Sequence, residues 1–174
     1  DLVGSAFELP VARQGWGDVE ARQLVATLRS CTRLQCLDLC QNRIGDTGLD
    51  SLAVAISHCP QLRQLHLAGN EIGDLGMAYL AAALKKCRIQ QLGLDSNLIG
   101  DVGAGHLAEA LPSCASLQGL QLGRNEIGDS GAGELALAMP RCPNLQLLDL
   151  SENEVSDLGA EQLAAALPRC GKLK

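Results

Sequence analysis

The stretch LQCLDLCQNRIGDTGLDSLAVAISHC, residues 34–59, carries two hydrophobic periods in succession. In its first half Leu37 and Leu39 alternate with Cys36, Asp38 and Cys40. A period of two marks a short strand with one buried face. In the second half Leu49, Leu52, Ala53 and Ile56 follow at three- and four-residue steps, which places them on one face of a helix. Asp46 stands just ahead of this run. There its carboxylate is expected to accept bonds from the free N–H groups of its own helix and to face the helix dipole.

Working outward, the same unit recurs as LRQLHLAGNEIGDLGMAYLAAALKKC from Leu62, IQQLGLDSNLIGDVGAGHLAEALPSC from Ile89, LQGLQLGRNEIGDSGAGELALAMPRC from Leu117 and LQLLDLSENEVSDLGAEQLAAALPRC from Leu145. Asn42, Asn70, Asn97, Asn125 and Asn153 mark one slot in each, at spacings of 28, 27, 28 and 28. A degenerate copy precedes them, running from Ala6 through Leu9, Val11, Gln14, Trp16, Asp18, Leu24 and Leu28 to Cys31. The expected units are residues 6–33, 34–61, 62–88, 89–116, 117–144 and 145–172 of a single 1–174 domain, with another begun at Leu173. Asp18, Asp74, Asp101, Asp129 and Asp157 repeat the Asp46 position, and Pro60 and Pro143 follow the helical runs as stop signals do.

One strand-plus-helix unit cannot bury its apolar face, whereas stacked units can. Strands stack about 4.8 Å apart and packed helices need about 8–10 Å. The stack must therefore curve, with a parallel sheet inside and helices outside. The recurring Asn amide is expected to satisfy backbone groups of the turn leaving each strand, where no ladder partner exists. Gly45, Gly73, Gly100 and Gly128 are expected to relax that turn.

The unit LxxLxLxxNxIGDxGxxxLAxALxxC resembles the roughly 28-residue leucine-rich repeat of the ribonuclease-inhibitor type. Repeats of that type also form the sensing ends of NACHT-containing immune receptors and the body of Ran GTPase-activating protein. The resemblance implies an α/β solenoid: a curved right-handed β/α horseshoe with the parallel sheet on its concave face and helices on its convex face. It also implies a module that binds another protein and is not an enzyme. A second implied role is a GTPase regulator like Ran GTPase-activating protein, which acts through a surface without an active-site motif. A third is a purely structural subunit of a large assembly.

Composition narrows the setting. The 174 residues are 47% hydrophobic but only 2% aromatic, so the core must be aliphatic. A formal net charge of −6 argues against nucleic acid and anionic membranes as partners, since both demand clustered positive charge. No apolar run approaches the roughly 18–20 residues that span a bilayer. The opening DLVGSAFELP has neither the pattern of a signal peptide nor an initiator Met, so Asp1 is expected to be internal to a longer protein or exposed by processing. No polar cap follows Leu173, so further repeats or a bound neighbour are expected there.

Cys31, Cys59, Cys87, Cys114, Cys142 and Cys170 share one slot, which reads as a column of small buried side chains rather than a disulfide framework. Free thiols on this scale point to a reducing, cytoplasmic setting. Cys36 and Cys40 share the strand's outer face about 13 Å apart, too far for one zinc ion. GAGHLA at Gly103 and GAGELA at Gly131 fit a dinucleotide fingerprint but begin nine residues past Leu94 and Leu122, so they are by-products of the repeat. His58 and His106 are expected to be solvated, and His66 to lie beside Asp38 of the neighbouring unit. No cofactor or metal site is expected.

Strand positions facing away from the core form three columns. They are Glu8, Cys36, Gln64, Gln91, Gly119 and Leu147; then Pro10, Asp38, His66, Gly93, Gln121 and Asp149; then Ala12, Cys40, Ala68, Asp95, Gly123 and Ser151. The expected partner-binding residues on this face are Cys36, Asp38, Cys40, Gln64, His66, Gln91, Asp95, Gln121, Asp149 and Ser151. The loops leaving the strands add Arg43, Glu71, Arg124, Glu126, Glu152 and Glu154, an acidic rim suited to a basic or mixed-polar partner. Gly93, Gly119, Gly123 and Ala68 leave room for close approach by a partner's backbone. The face lacks Trp and Tyr, the usual anchors of tight interfaces, which argues against direct ribonuclease inhibition.

Overall fold

The LxL pairs form strands and the following apolar runs form helices, six of each among the described residues, in strict alternation. The computed structural model describes residues 7–173; the expected start of the first unit at Ala6 lies outside them. The strands are β1 (Glu8–Pro10), β2 (Cys36–Asp38), β3 (Gln64–His66), β4 (Gln91–Gly93), β5 (Gly119–Gln121) and β6 (Leu147–Asp149). The helices are α1 (Asp18–Leu28), α2 (Asp46–Ile56), α3 (Asp74–Leu84), α4 (Asp101–Ala110), α5 (Asp129–Ala138) and α6 (Asp157–Ala166). The strands pair in parallel and in chain order, with Leu9, Leu37, Leu65, Leu92, Leu120 and Leu148 in one register row. Each helix packs on the next, so the molecule is an α/β solenoid with one continuous core.

That core is aliphatic. Leu37, Leu65, Leu92 and Leu120 from the strands and Leu52, Leu80, Leu107 and Leu135 from the helices are all fully buried. Ile44, Ile72, Ile99 and Ile127, in the turns between, close each layer with no exposure at all. Burying one such side chain contributes about 1.5–3 kcal/mol, so every layer is stabilised on its own scale.

The Asn slot does what its position asked of it and also reaches further. Asn97 donates from Nδ2 to the Leu94 carbonyl of its own turn and to the Leu67 carbonyl of the unit before, both at 3.0 Å. Its Oδ1 accepts the Ile72 N–H at 3.1 Å. Asn70 and Asn125 make the same three bonds in their units. One side chain thus pairs backbone groups that no strand ladder reaches, in two units at once. No buried side-chain nitrogen or oxygen among the described residues lacks a partner.

The Asp slot corrects an expectation. Asp46 is the first residue of its helix, and its carboxylate does not cap that helix. Instead Oδ1 accepts the Gly73 N–H that starts the next helix, at 2.7 Å. Asp18 serves Gly45 in the same way, and Asp74 and Asp101 each take two N–H groups of the following helix. In α1 the corresponding Gly17 N–H is taken from within the helix, where Glu20 accepts it at 2.9 Å. In the last link Ser156 stands where the other units have Gly, and its hydroxyl and N–H both bond Asp129. Those bonds hold the Asp129 carboxyl below the usual carboxylate range.

The glycines are corrected with it. Gly45, Gly73, Gly100 and Gly128 have extended backbone with negative φ, which any residue adopts, so they relax nothing. The demanding slot is three residues on. A Cβ on Gly48, Gly76, Gly103, Gly131 or Gly159 would come within 2.5–2.7 Å of the preceding unit's Asp Oδ1. Real strain sits just before each Asn, where Gln41, Ser96, Arg124 and Glu152 hold φ between 54 and 57° and only Gly69 of that column lacks a side chain.

The shared Cys slot is buried at Cys31, Cys59, Cys114 and Cys142 and half-buried at Cys87 and Cys170. The thiols of Cys31, Cys87, Cys114 and Cys170 donate to the carbonyl four residues earlier, at 3.2–3.4 Å, where the helix has run out of N–H donors. Cys36, Cys40, Cys59, Cys87, Cys114, Cys142 and Cys170 are free thiols. Burial pushes Cys59 and Cys114 up to about 11.

Three outcomes follow from this layering. Gly103→Ala should cost about 1–3 kcal/mol by overpacking against Asp74, although alanine is ordinarily the better helix former. Gly105→Ala, in the same helix with open space around it, should instead stabilise by about 0.5–1 kcal/mol. Urea denaturation of both variants decides this, and equal signs would refute the Asp–Gly contact. Asn97→Ala should cost about 2–4 kcal/mol, because it strands buried backbone groups; a loss under about 0.5 kcal/mol would mean water replaces the amide. At pH 8, Cys59 and Cys114 should react with a thiol reagent roughly 100-fold more slowly in the folded chain than in urea, since the thiolate is the reacting species. Fast labelling of native protein would contradict their burial.

Candidate protein interface

The residues that alternate with the core leucines line the other face of the sheet. Strand pairing puts Cys36, Gln64, Gln91, Gly119 and Leu147 in one row and Asp38, His66, Gly93, Gln121 and Asp149 in a second. Backbone bonds from Gln41, Gly69, Ser96 and Arg124 to the carbonyls of Ala68, Asp95, Gly123 and Ser151 continue the ladder into the third. The three columns read from the sequence are therefore physical rows of neighbours.

The face is acidic and its acids are held. Glu8, Asp38, Asp95 and Asp149 lie on it with no Lys or Arg in the three rows. Asp38 Oδ1 accepts the Cys40 N–H at 3.0 Å, Asp149 Oδ1 the Ser151 N–H at 2.9 Å, and Asp95 Oδ1 the Gly123 N–H at 3.2 Å. The Ser151 hydroxyl and N–H hold the Asp149 carboxyl below the usual range. The thiols respond in the opposite sense. Cys36 is raised by burial and by Glu8 and Asp38 nearby. Burial and the Asp38 carboxylate push Cys40 up to about 11. Both are protonated at neutral pH, which suits neither a nucleophile nor a metal ligand. Among the described residues no group of three His, Cys, Asp or Glu is placed to hold a metal ion.

Five of the expected residues converge. Asp95, Arg124, Asp149, Ser151 and Glu152 line one hollow of about 290 Å³ around Gly123 and Ser96. Arg124 and Glu152 meet there in an ion pair of 2.8 Å, the only one among the described residues. They thus neutralise each other and are not independent rim charges. Cys36, Asp38, Cys40, Gln64, His66, Gln91 and Gln121 lie outside this hollow, spread along the rows. Arg43, Glu71, Glu126 and Glu154 are exposed on the rim without an ion-pair partner.

Other expectations change. Gly93, Gly119 and Gly123 are buried and offer no opening to a partner's backbone, because neighbouring side chains lie over them. A Cβ on Gly119 would strike the Gln91 amide, and one on Gly93 would meet His66 Nδ1 at 3.4 Å and Gln121 Oε1 at 3.5 Å. His66 sits opposite Asp38 in the ladder but forms no ion pair with it. His58 is exposed just past α2, whereas His106 is half-buried in α4 rather than solvated. Gly103 and Gly131 lie inside helices beside Asp74 and Asp101, which leaves no phosphate loop at either dinucleotide-like match.

Sequence reasoning missed an apolar element of this edge. Leu98 occupies in the fourth unit the slot that Glu71 and Glu126 hold on either side, and it is 51% exposed. Behind it, Val19, Leu75, Val102 and Leu158, each second in its helix, form a row of exposed side chains. The signal was a Leu in a slot that is charged in the other full units.

Comparison with known proteins agrees with this architecture. A model of the leucine-rich repeat family matches residues 30–53, 58–81, 113–136 and 141–164, together more than half of the chain. No curated protein sequence matches it. Among solved structures, an internalin from Listeria monocytogenes is 22% identical over 85% of this chain, with a TM-score of 0.53; the chain spans only 42% of that protein. The tropomodulin C-terminal domain of Caenorhabditis elegans is 16% identical over 86% of this chain and 92% of its own, with a TM-score of 0.68. Leiomodin-1 actin-binding site 2 is 21% identical over 86% and 87%, with a TM-score of 0.65. At these identities the likeness is one of fold. Taken with the repeat register and the Asn rows, the family match places this chain in the leucine-rich repeat family.

Proposed function

We propose that this chain is a protein-binding module that captures a partner on the concave face and the adjoining loop rim. The observation that carries the reading is the hollow at the fourth to sixth units, lined by Asp95, Asp149 and Glu152 together with Arg124, which pairs with Glu152. Three carboxylates against one cation leave an acidic, preorganised recess sized for a basic side chain. Glu126 and Glu154 extend the same sign along the rim. Held carboxylates lose little freedom when a cation docks, which favours specific capture over diffuse attraction. Leu98 supplies an apolar anchor within the same strip. The partner on this reading is a protein with Lys or Arg side chains flanking an apolar contact.

The like-folded leiomodin-1 domain is an actin-binding site, which supports a protein as the class of partner. The Ser57 hydroxyl lies 3.3 Å from His58 Nδ1, but that pair is exposed just past α2 and the same nitrogen lies 2.8 Å from the Val54 carbonyl, so binding is the role we assign. The free thiols of Cys36, Cys40, Cys59, Cys87, Cys114, Cys142 and Cys170 support a reducing, intracellular setting. No helix among the described residues is long and apolar enough to cross a membrane.

Charge reversal tests the reading. Glu126→Lys with Glu154→Lys should weaken capture of the partner at least about tenfold, and Asp95→Asn with Asp149→Asn should do the same while also slowing association less steeply with salt. Glu161→Lys, on the exposed side of α6, should leave capture unchanged. Affinity that is indifferent to all four face and rim substitutions would remove the concave edge as the site.

A further inference from the structure

The edge opposite the acidic rim is made of the segments that run from each helix end to the next strand. In sequence these are residues 29–35, 57–63, 85–90, 111–118, 139–146 and 167–174, and not one of the chain's 20 Asp and Glu residues falls in them. Ten of its 14 Lys and Arg residues do. Six of the ten, Arg29, Arg33, Arg63, Lys85, Lys86 and Arg88, belong to the first three units. The molecule's formal charge of −6 therefore hides a sharply divided surface.

Cations near helix C-termini can be explained by the helix dipole alone. That account covers Arg29 and Lys85, which cap α1 and α3, and Arg141 and Arg169, in the short 3-10 turns that extend α5 and α6, but not the cations farther on. Arg33, Arg63 and Arg88 lie beyond the helices, on the approach to the strands. No described cation of this edge has a carboxylate within ion-pair distance. Arg63, Lys86 and Arg88 instead line a common hollow of about 380 Å³ with Ser57, Pro60 and Gln61. The Arg63 guanidinium is already fixed there by the Pro60 and Leu62 carbonyls and the Gln61 amide oxygen, at 3.1–3.4 Å. Lys86 and Arg88 are exposed.

We infer that this basic edge, centred on Arg63, Lys86 and Arg88, is a second interaction surface, and that it takes an acidic polypeptide segment. Charge complementarity sets the sign of the partner. Extent and chemistry set its class. The cations are dense over three units and absent from residues 111–118, so the patch ends where a nucleic acid would run on. Base stacking would need aromatic platforms. Near this edge the Phe7 ring already has Arg33 over it, 4.4 Å from the centroid, and Tyr79, which lines a hollow with Lys86, Ser57 and His58, is a single ring rather than a run of platforms. A short run of Asp and Glu side chains matches both the length of the patch and its charge.

The full chain can be titrated against a short fluorescein-labelled peptide of alternating Glu and Asp, read by anisotropy. Binding that weakens as salt rises is expected, with Lys86→Glu/Arg88→Glu lowering affinity at least tenfold and Lys86→Gln/Arg88→Gln lying between. Both pairs are exposed, and their melting curves should match the parent. The rim variants Glu126→Lys and Glu154→Lys should bind the peptide as the parent does, so this result stands or falls apart from the concave-face reading. The inference is overturned if the parent does not bind, if the Lys86 and Arg88 variants bind equally well, or if a single-stranded oligonucleotide of equal charge binds more tightly. Salt-sensitive self-association that displaces the peptide would likewise overturn it in favour of a second copy of the chain.

Discussion

Where each strand ends and the chain turns toward its helix, backbone N–H and C=O groups are buried with no ladder to join. Leaving such groups unpaired costs about 1–3 kcal/mol each. One Asn per unit resolves this by bonding its own turn and the turn before it. Asn97, for example, ties Leu94 to Leu67 and Ile72. The Ile72 N–H depends on the Asn of the next unit, so a single unit cannot satisfy its own turn in full. Stacking is thereby enforced by polar groups as well as by burial of leucine.

The Asp links give the stack a direction. Each carboxylate serves the helix that follows, and the glycine three residues into that helix is what lets it approach. In α1 Glu20 fills the same role from within the helix. Helix starts, usually ready anion sites, are therefore already occupied along the array. Function is displaced from them to the strand rows and to the two edges.

The two edges differ for a reason rooted in parallel topology. Every strand and every helix runs the same way, so one edge collects all strand ends and the other all strand starts. A side chain placed in one repeat slot is multiplied into a row. Acids in the turn slots Glu71, Glu126 and Glu154 become a rim, and cations past the helix ends become the opposite one. A repeat protein can in this way hold two surfaces of opposite sign on one small body, with the stack between them.

The two periods within residues 34–59, repeated at intervals of 27 or 28, determined the strand and helix order, the parallel register, the aliphatic core and the three outward rows. They did so because a layer of leucine can leave water only against a like layer, and a period is visible without coordinates. The convergence of Asp95, Asp149, Ser151, Arg124 and Glu152 on one hollow was not legible, since it depends on how rows from three units curve together. The target of Asp46 was misread as its own helix because capping is a local rule, whereas here the nearest free N–H belongs to the next unit. The demand was placed on Gly45 rather than Gly48 for the same reason: sequence shows that a glycine recurs, and only the approach of a neighbouring carboxylate shows which one has no room for a side chain.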